Sequence, residues 1–223
     1  PDAPDTQNKQ NYAEALDICN KGIRQFPKYF RIDILKQLAR QITQTNVSYT
    51  IEPNVYPGQT QDIKLTFKNL SNISITLYKV DETTLEYLDV NKKTTKLEKV
   101  STHTFRLPKQ LYPQDTVLQI PVANTGRYQL TLSYGKTSKE ADSTYFSSSR
   151  LSTIARKTGE SLYNVLVCDL LSGKPIEGAK VKVYKRIGRQ YSVAGEFLSD
   201  KNGLASIKVS NPDDFYQVTR GND

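Results

Sequence analysis

Apolar residues follow two different periods along this chain. Between positions 12 and 42 they recur every three or four residues. Tyr12, Leu16, Cys19 and Ile23 form one stripe, and Phe30, Ile34, Leu35, Leu38 and Ile42 another. That spacing places each set on one face of an α-helix. Asn11 is a candidate cap for the first helix, Gly22 sits near its end, and Pro27 ends it after Phe26. A short Phe-Pro-Lys turn then joins the two stripes into an αα-hairpin over residues 1–45, with residues 1–10 read as a disordered lead.

From Asn46 the period becomes two, the signature of half-buried strands. Val47–Ile51 reads as a strand and Pro53–Gly58 as a turn. Ile63, Leu65 and Phe67 alternate with Lys64, Thr66 and Lys68. Asn69–Asn72 turns the chain into Ile73, Ile75 and Leu77. Residues 81–100 are polar and threonine-rich, read as a strand plus a mobile loop. Thr102–Leu107, then Leu118, Ile120 and Val122, then Tyr128, Leu130, Leu132 and Tyr134 read as further strands. Residues 135–145 read as a polar hairpin loop. Short strands spaced by turn signals predict an antiparallel β-sandwich over residues 46–148.

Phe146 to Ile154 is strand-like, and the serines at 147–149 mark a boundary to a second sandwich over 149–223. This unit reads as small or truncated. Its core pattern is Tyr163–Asp169, a Gly173-x-Pro175 turn, and then Ala179, Val181 and Val183 facing one way. Lys180, Lys182 and Tyr184 face the other. An Asp200-Lys-Asn-Gly203 turn follows, then a strand to Val209. The predicted fold is therefore mainly β: an N-terminal αα-hairpin followed by two antiparallel immunoglobulin/prealbumin-like sandwiches.

Composition adjusts this picture modestly. The 223 residues carry a net charge of +8, but Lys and Arg are spread along strands rather than run together with aromatics. Solvated strand faces account for such a pattern better than a nucleic-acid surface does. No segment approaches the ~20 apolar residues of a membrane-spanning helix. The start at Pro1-Asp-Ala-Pro-Asp fits a trimmed or mature N-terminus. Cys19 and Cys168 lie in different predicted units, with no Cys-x-x-Cys pair; two buried free thiols fit this better than the alternative, a disulfide between them.

Catalytic chemistry finds little support. His103 is the only histidine and sits among strand residues, without a second base or a metal partner. Asp62, Asp200, Asp213 and Asp214 lack the ordered Asp-x-Asp-x-Asp loop that calcium requires, and read as turn carboxylates. No cofactor or metal is expected, and the chain reads as a non-enzyme. There are fourteen tyrosines and no tryptophan. Tyr184 and Tyr191 flank Lys185, Arg186 and Arg189, a candidate basic-aromatic interaction surface. Asn-x-Ser sequons occur at Asn46, Asn69 and Asn72.

Several stretches carry a family resemblance. Tyr12 to Pro27 resembles the second helix of a tetratricopeptide unit with its closing proline, although one such unit does not make a stable array. The helical hairpin ending Gly22-Ile-Arg-Gln-Phe-Pro27 directly precedes the β units. Phe67–Val80 together with Ile120–Tyr128 looks like a macroglobulin domain. Ser172-Gly-Lys-Pro-Ile-Glu-Gly-Ala-Lys-Val and Ser199-Asp-Lys-Asn-Gly203 look like the next one. In this order the pieces resemble the N-terminal region of bacterial alpha-2-macroglobulin-like proteins. The last pattern also occurs in carboxypeptidase regulatory-like modules, which implies an alternative role in binding glycan or protein at a surface.

The macroglobulin resemblance implies a structural segment of an exported, envelope-associated protease trap. Its partners would be other domains of the parent chain, with proteases as targets of the full-length protein. Nucleic acid would not be bound, and a membrane would be met only through an anchor outside this segment. In many members a thioester forms in a Cys-x-Glu-Gln motif. Here Cys19 is followed by Asn-Lys-Gly and Cys168 by Asp-Leu-Leu, so that chemistry would lie elsewhere.

Overall fold

A computed structural model of the chain describes residues 5–81, 96–135, 139–188, 190–211 and 213–223. Two helices come first, α1 (Asp5–Gln25) and α2 (Ile32–Thr43). The helix starts at Asp5, so residues 5–10 of the expected disordered lead are helical; residues 1–4 lie outside the described residues, and Asn11 lies inside α1 rather than capping it. An acidic residue at the N-terminus and a polar run without proline favour this longer helix.

Tyr12, Leu16, Cys19 and Ile23 do form the inner stripe of α1, with Cys19 buried. The two helices approach closely where Gly22 leaves room for Leu35: a Cβ at Gly22 would lie 2.7 Å from Leu35 Cδ1. On α2 the inner stripe is Ile32, Leu35, Ala39 and Ile42. Phe30, Ile34 and Leu38, expected inside, are exposed instead. Both stripes fit a helical period, and only the neighbouring helix selects one.

Fourteen strands follow among the described residues. β1 (Asn46–Ile51), β3 (Thr60–Lys68) and β6 (Gln114–Pro121) form a three-stranded sheet in the order β1-β3-β6. β2 (Asn54–Val55), β4 (Asn72–Val80), β5 (Leu97–Arg106), β7 (Gly126–Tyr134) and β8 (Lys139–Ser148) form a five-stranded sheet in the order β2-β8-β7-β4-β5. The inner faces of these two sheets share one core, in which Ile63, Leu65, Ile120, Ile75 and Leu130 are at most 1% exposed. Three local expectations change. The turn at 53–58 contains β2, which pairs parallel with β8. β5 begins at Leu97, earlier than expected, and residues 82–95 lie outside the described residues. β8 takes in much of the expected polar loop at 135–145, of which 136–138 lie outside the described residues. The polar residues of β8 are accommodated because β8 lies between β7 and the two-residue β2, so that few partners cover its length.

The chain changes sheet at Ser149-Arg150. β9 (Leu151–Lys157), β10 (Leu162–Asp169) and β13 (Leu204–Lys208) form one sheet, in the order β13-β10-β9. β11 (Lys180–Ile187), β12 (Gln190–Leu198) and β14 (Phe215–Thr219) form another, in the order β12-β11-β14. Their shared core is smaller and built from smaller side chains: Val165, Val167, Ala179, Val181, Val183, Ala205 and Ile207. The architecture is thus mainly β, with two helices and two sandwich cores.

Turn chemistry fixes the strand ends. Asp169 Oδ1 accepts from the backbone N–H groups of Leu171 (3.2 Å) and Ser172 (2.8 Å) and from Ser172 Oγ (2.7 Å). Gly173 follows at φ +66°. Asp200 Oδ1 accepts from Asn202 N (2.8 Å) and Leu204 N (2.9 Å). In that turn the left-handed residue is Gly203 (φ +75°), and Asn202 is not in the positive-φ region.

Candidate functional site

Two places gather polar chemistry: the outer face of the β12-β11-β14 sheet and the seam between the two sandwiches. On the outer face, strand alternation puts Lys182, Tyr184 and Arg186 of β11 together. Their cross-strand neighbours are Glu196, Val193 and Tyr191 on β12, and Gln217 and Phe215 on β14. Strand alternation places Lys185 on the other face of β11 from Tyr184 and Arg186. Arg189 lies outside the described residues.

Tyr184, expected with the exposed lysines, is only 5% exposed although it does share their face. Phe215 stacks on it at 4.9 Å between ring centroids, and Tyr191 meets Phe215 edge-on at 5.0 Å. The Tyr184 hydroxyl donates to Gln217 Oε1 at 3.2 Å. A register shift between Val183 and Tyr184 helps set this geometry. Sequence spacing could not reveal it, because Phe215 arrives from a distant strand.

Two lysines on this face share one carboxylate. Lys182 Nζ lies 3.1 Å and Lys180 Nζ 3.6 Å from Glu196. The Lys182 hydrogen bond holds the Glu196 carboxyl below its ordinary range, and the same bond raises the Lys182 ammonium. Arg186 Nε donates to the Gly188 carbonyl at 3.2 Å. Aromatic packing among Tyr184, Phe215 and Tyr191 and the ion pairs to Glu196 tie the three strands of this sheet together.

The seam encloses a groove of about 480 Å³ lined by β2, β8, β9 and β14 and by the chain end at Asn222-Asp223. Three hydrogen bonds tie its walls. Asn54 Nδ2 donates to Leu151 O (3.2 Å), Arg150 N to Asp223 Oδ2 (2.8 Å), and Thr125 Oγ1 to Asn222 O (3.0 Å). Ser148 is 1% exposed. Its Oγ, and Asn54 Oδ1, are buried without a hydrogen-bond partner among the described residues. Hydroxyls and amides make up much of the lining, which suits a polar joint.

The remaining candidates have structural partners. His103 Nε2 lies 3.2 Å from Ser101 Oγ. Asp62 Oδ1 accepts from Gln119 Nε2 at 2.9 Å. Asp214 Oδ2 accepts from the backbone N–H groups of Ser210 and Asn211. Burial works to raise the Asp214 carboxyl, but backbone donors at Asn211, Ser210 and Arg186 outweigh it and hold the group below its ordinary range. Asp213 is exposed. Among the described residues, no three His, Cys, Asp or Glu side chains gather into a metal-holding group. Cys19 and Cys168 are both buried and free.

Sequence reading missed two groups. Asn69 was legible as a turn residue, and it adopts φ +55°. Beyond that, its Nδ2 donates to the Ile42 carbonyl at 2.8 Å, tying the end of α2 to the first sandwich. A buried side chain used in this way is not an accessible sequon acceptor. Tyr49 on β1 has its hydroxyl pushed up to about 12, chiefly by burial and then by the negative charge of Asp142 on β8.

No protein-family model matches the sequence, and no curated protein matches it. Solved structures do. Native alpha-2-macroglobulin from Escherichia coli spanning domains MG0-NIE-MG1 matches with a TM-score of 0.62 at 15% identity, over 80% of this chain and 62% of that one. The same protein spanning domains NIE-MG1 matches with a TM-score of 0.57 at 15% identity, over 81% of this chain and 94% of that one. This chain therefore spans 62% of the longer segment and nearly all of the shorter. A match over 81% of the chain cannot be confined to either sandwich, and so the chain has the fold of the NIE-MG1 segment of bacterial alpha-2-macroglobulin.

Proposed function

We propose that this chain is a non-catalytic structural segment of an alpha-2-macroglobulin-like protease-trapping protein of the bacterial cell envelope. Its units are a helical hairpin over 1–45, a macroglobulin-like sandwich over 46–148 and a second over 149–223. The observation that carries this reading is the match across both sandwiches to the NIE-MG1 segment, 94% of which is covered. The hydrogen-bonded seam fits a role in which two sandwiches hold a fixed relation as part of a cage wall. Proteases are the targets of the full-length molecule, and its location is the periplasm or envelope.

An antibody raised to this segment tests the reading on whole cells and on their envelope fraction. The proposal expects a band far larger than the 25.2 kDa of this chain. Incubating the native protein with an added protease should then give a product that retains the protease through gel filtration. A native product near 25.2 kDa, or a large one that never retains a protease, overturns the assignment.

A further inference from the structure

The tip of the helical pair exposes a cluster of aromatic side chains, and it is also basic. Three aromatic rings stand out together there: Phe26 is 61% exposed, Tyr29 53% and Phe30 78%. The tip is ordered by its own backbone. Phe26 N donates to Gly22 O (2.9 Å), Tyr29 N to Phe26 O (3.1 Å) and Ile32 N to Tyr29 O (3.0 Å). Tyr29 and Phe30 pack at 4.8 Å between centroids, so the rings are held outward rather than folded away. Ile34, one turn further along α2, is 61% exposed.

Arg24, Lys28 and Arg31 surround these rings and are exposed, and no acidic residue occurs between Asp17 and Asp33. The two flanking acids are engaged elsewhere, Asp17 with Lys21 at 2.7 Å and Asp33 with Lys36 at 3.0 Å. The tip therefore carries net positive charge. It also stands clear of the sandwiches. The pair is fastened at the other end of α2, where Asn69 Nδ2 bonds Ile42 O and Lys68 Nζ bonds Gln41 O. Ten helical residues separate Ile32 from Ile42, which is roughly 15 Å of reach.

We propose that this tip docks on an anionic lipid bilayer, with Phe26, Tyr29 and Phe30 entering the headgroup region and Arg24, Lys28 and Arg31 meeting lipid phosphates. Aromatic rings prefer the membrane interface, and exposed cations gain there from the negative surface potential. A protein partner would have to supply both an apolar socket and matching acids, whereas an anionic bilayer offers both along any approach. The inference does not depend on the protease-trap reading. It departs from the expectation that a membrane is met only through an anchor outside the segment.

Sedimentation of the 223-residue chain with phosphatidylglycerol/phosphatidylcholine vesicles tests it, against phosphatidylcholine alone, at low salt. Three cations at roughly fivefold each predict binding about a hundredfold tighter to the anionic vesicles. Lys28→Glu with Arg31→Glu should abolish that preference. Phe26→Ser with Phe30→Ser should weaken binding about tenfold or more. All four positions are exposed, so the fold is expected to survive. The chain has no tryptophan, so Phe30→Trp gives a single reporter whose emission should shift to the blue on anionic vesicles only. No vesicle binding, or binding unaffected by the tip variants, overturns the proposal. Loss of self-association or of binding to an acidic protein in the same variants, without vesicle binding, assigns the face to a protein instead and also overturns it.

Discussion

Replacing Gly203 with alanine should break the second sandwich selectively. Gly203 closes the turn before β13 at φ +75°, and a Cβ there would lie 2.4 Å from the Val167 carbonyl oxygen and 3.0 Å from Pro175 Cβ. The first obstacle is backbone, which cannot rotate away as a side-chain end can. Left-handed backbone costs an alanine about 1–2 kcal/mol. Relieving the overlap moves β10 or the turn and strains the Val167 N–Gly203 O bond (2.8 Å) and the Ile176 N–Val167 O bond (2.9 Å). That adds about 2–3 kcal/mol, by the usual cost of overpacking and weakened hydrogen bonds. Gly178→Ala is the control, since φ is +71° there but nothing lies within 4 Å of the added carbon. It should cost only the backbone term. Two cores need not unfold together, so hydrogen exchange resolved by strand is the right assay. Amides of β10 and β11 should exchange roughly thirtyfold or more faster in Gly203→Ala than in Gly178→Ala. Amides of β4 and β7 in the first core should not change. Equal costs for the two variants, or an equal loss in both cores, would refute the reasoning.

Three other outcomes are expected. Asn69→Ala should lose about 2–3 kcal/mol, from left-handed strain and the lost bond to Ile42, whereas Asn69→Gly should lose only the bond; limited proteolysis between α2 and β1 reads the loosened joint. Ser199 Oγ donates to Ile176 O at 2.6 Å and accepts from Ala179 N at 2.9 Å, so Ser199→Ala should cost about 1–3 kcal/mol and speed exchange of the Ala179 amide. Tyr49 has a folded value of about 12 against an ordinary 10, so its stabilising contribution is complete below pH 10 and is lost as pH rises from 10 to 12. Tyr49→Phe should remove that alkaline loss, and Asp142→Asn should lower the Tyr49 titration, both followed by tyrosinate absorbance.

Local patterning determined much of this protein. The period of two made Ile63, Leu65, Phe67, Ile73, Ile75 and Leu77 legible as core, and they are buried. It did the same for Ala179, Val181 and Val183, because alternation and burial are one constraint on a sheet with a single covered face. Turn residues marked strand ends for a similar reason: Gly173 and Gly203 adopt backbone that other residues avoid. What neighbours decided was hidden. Ile32 and Ile42 are buried while Ile34 and Leu38 are exposed, since both stripes suit a helix and only the packing of α1 against α2 distinguishes them. Tyr184 is covered by Phe215, and Asn69 reaches back to Ile42, through contacts made only when distant segments meet. The seam at Ser148 and Asn54 and the exposed basic tip at Phe26–Arg31 are likewise products of assembly. Sequence periodicity reports which face of an element is apolar, and only the folded chain determines what, if anything, covers it.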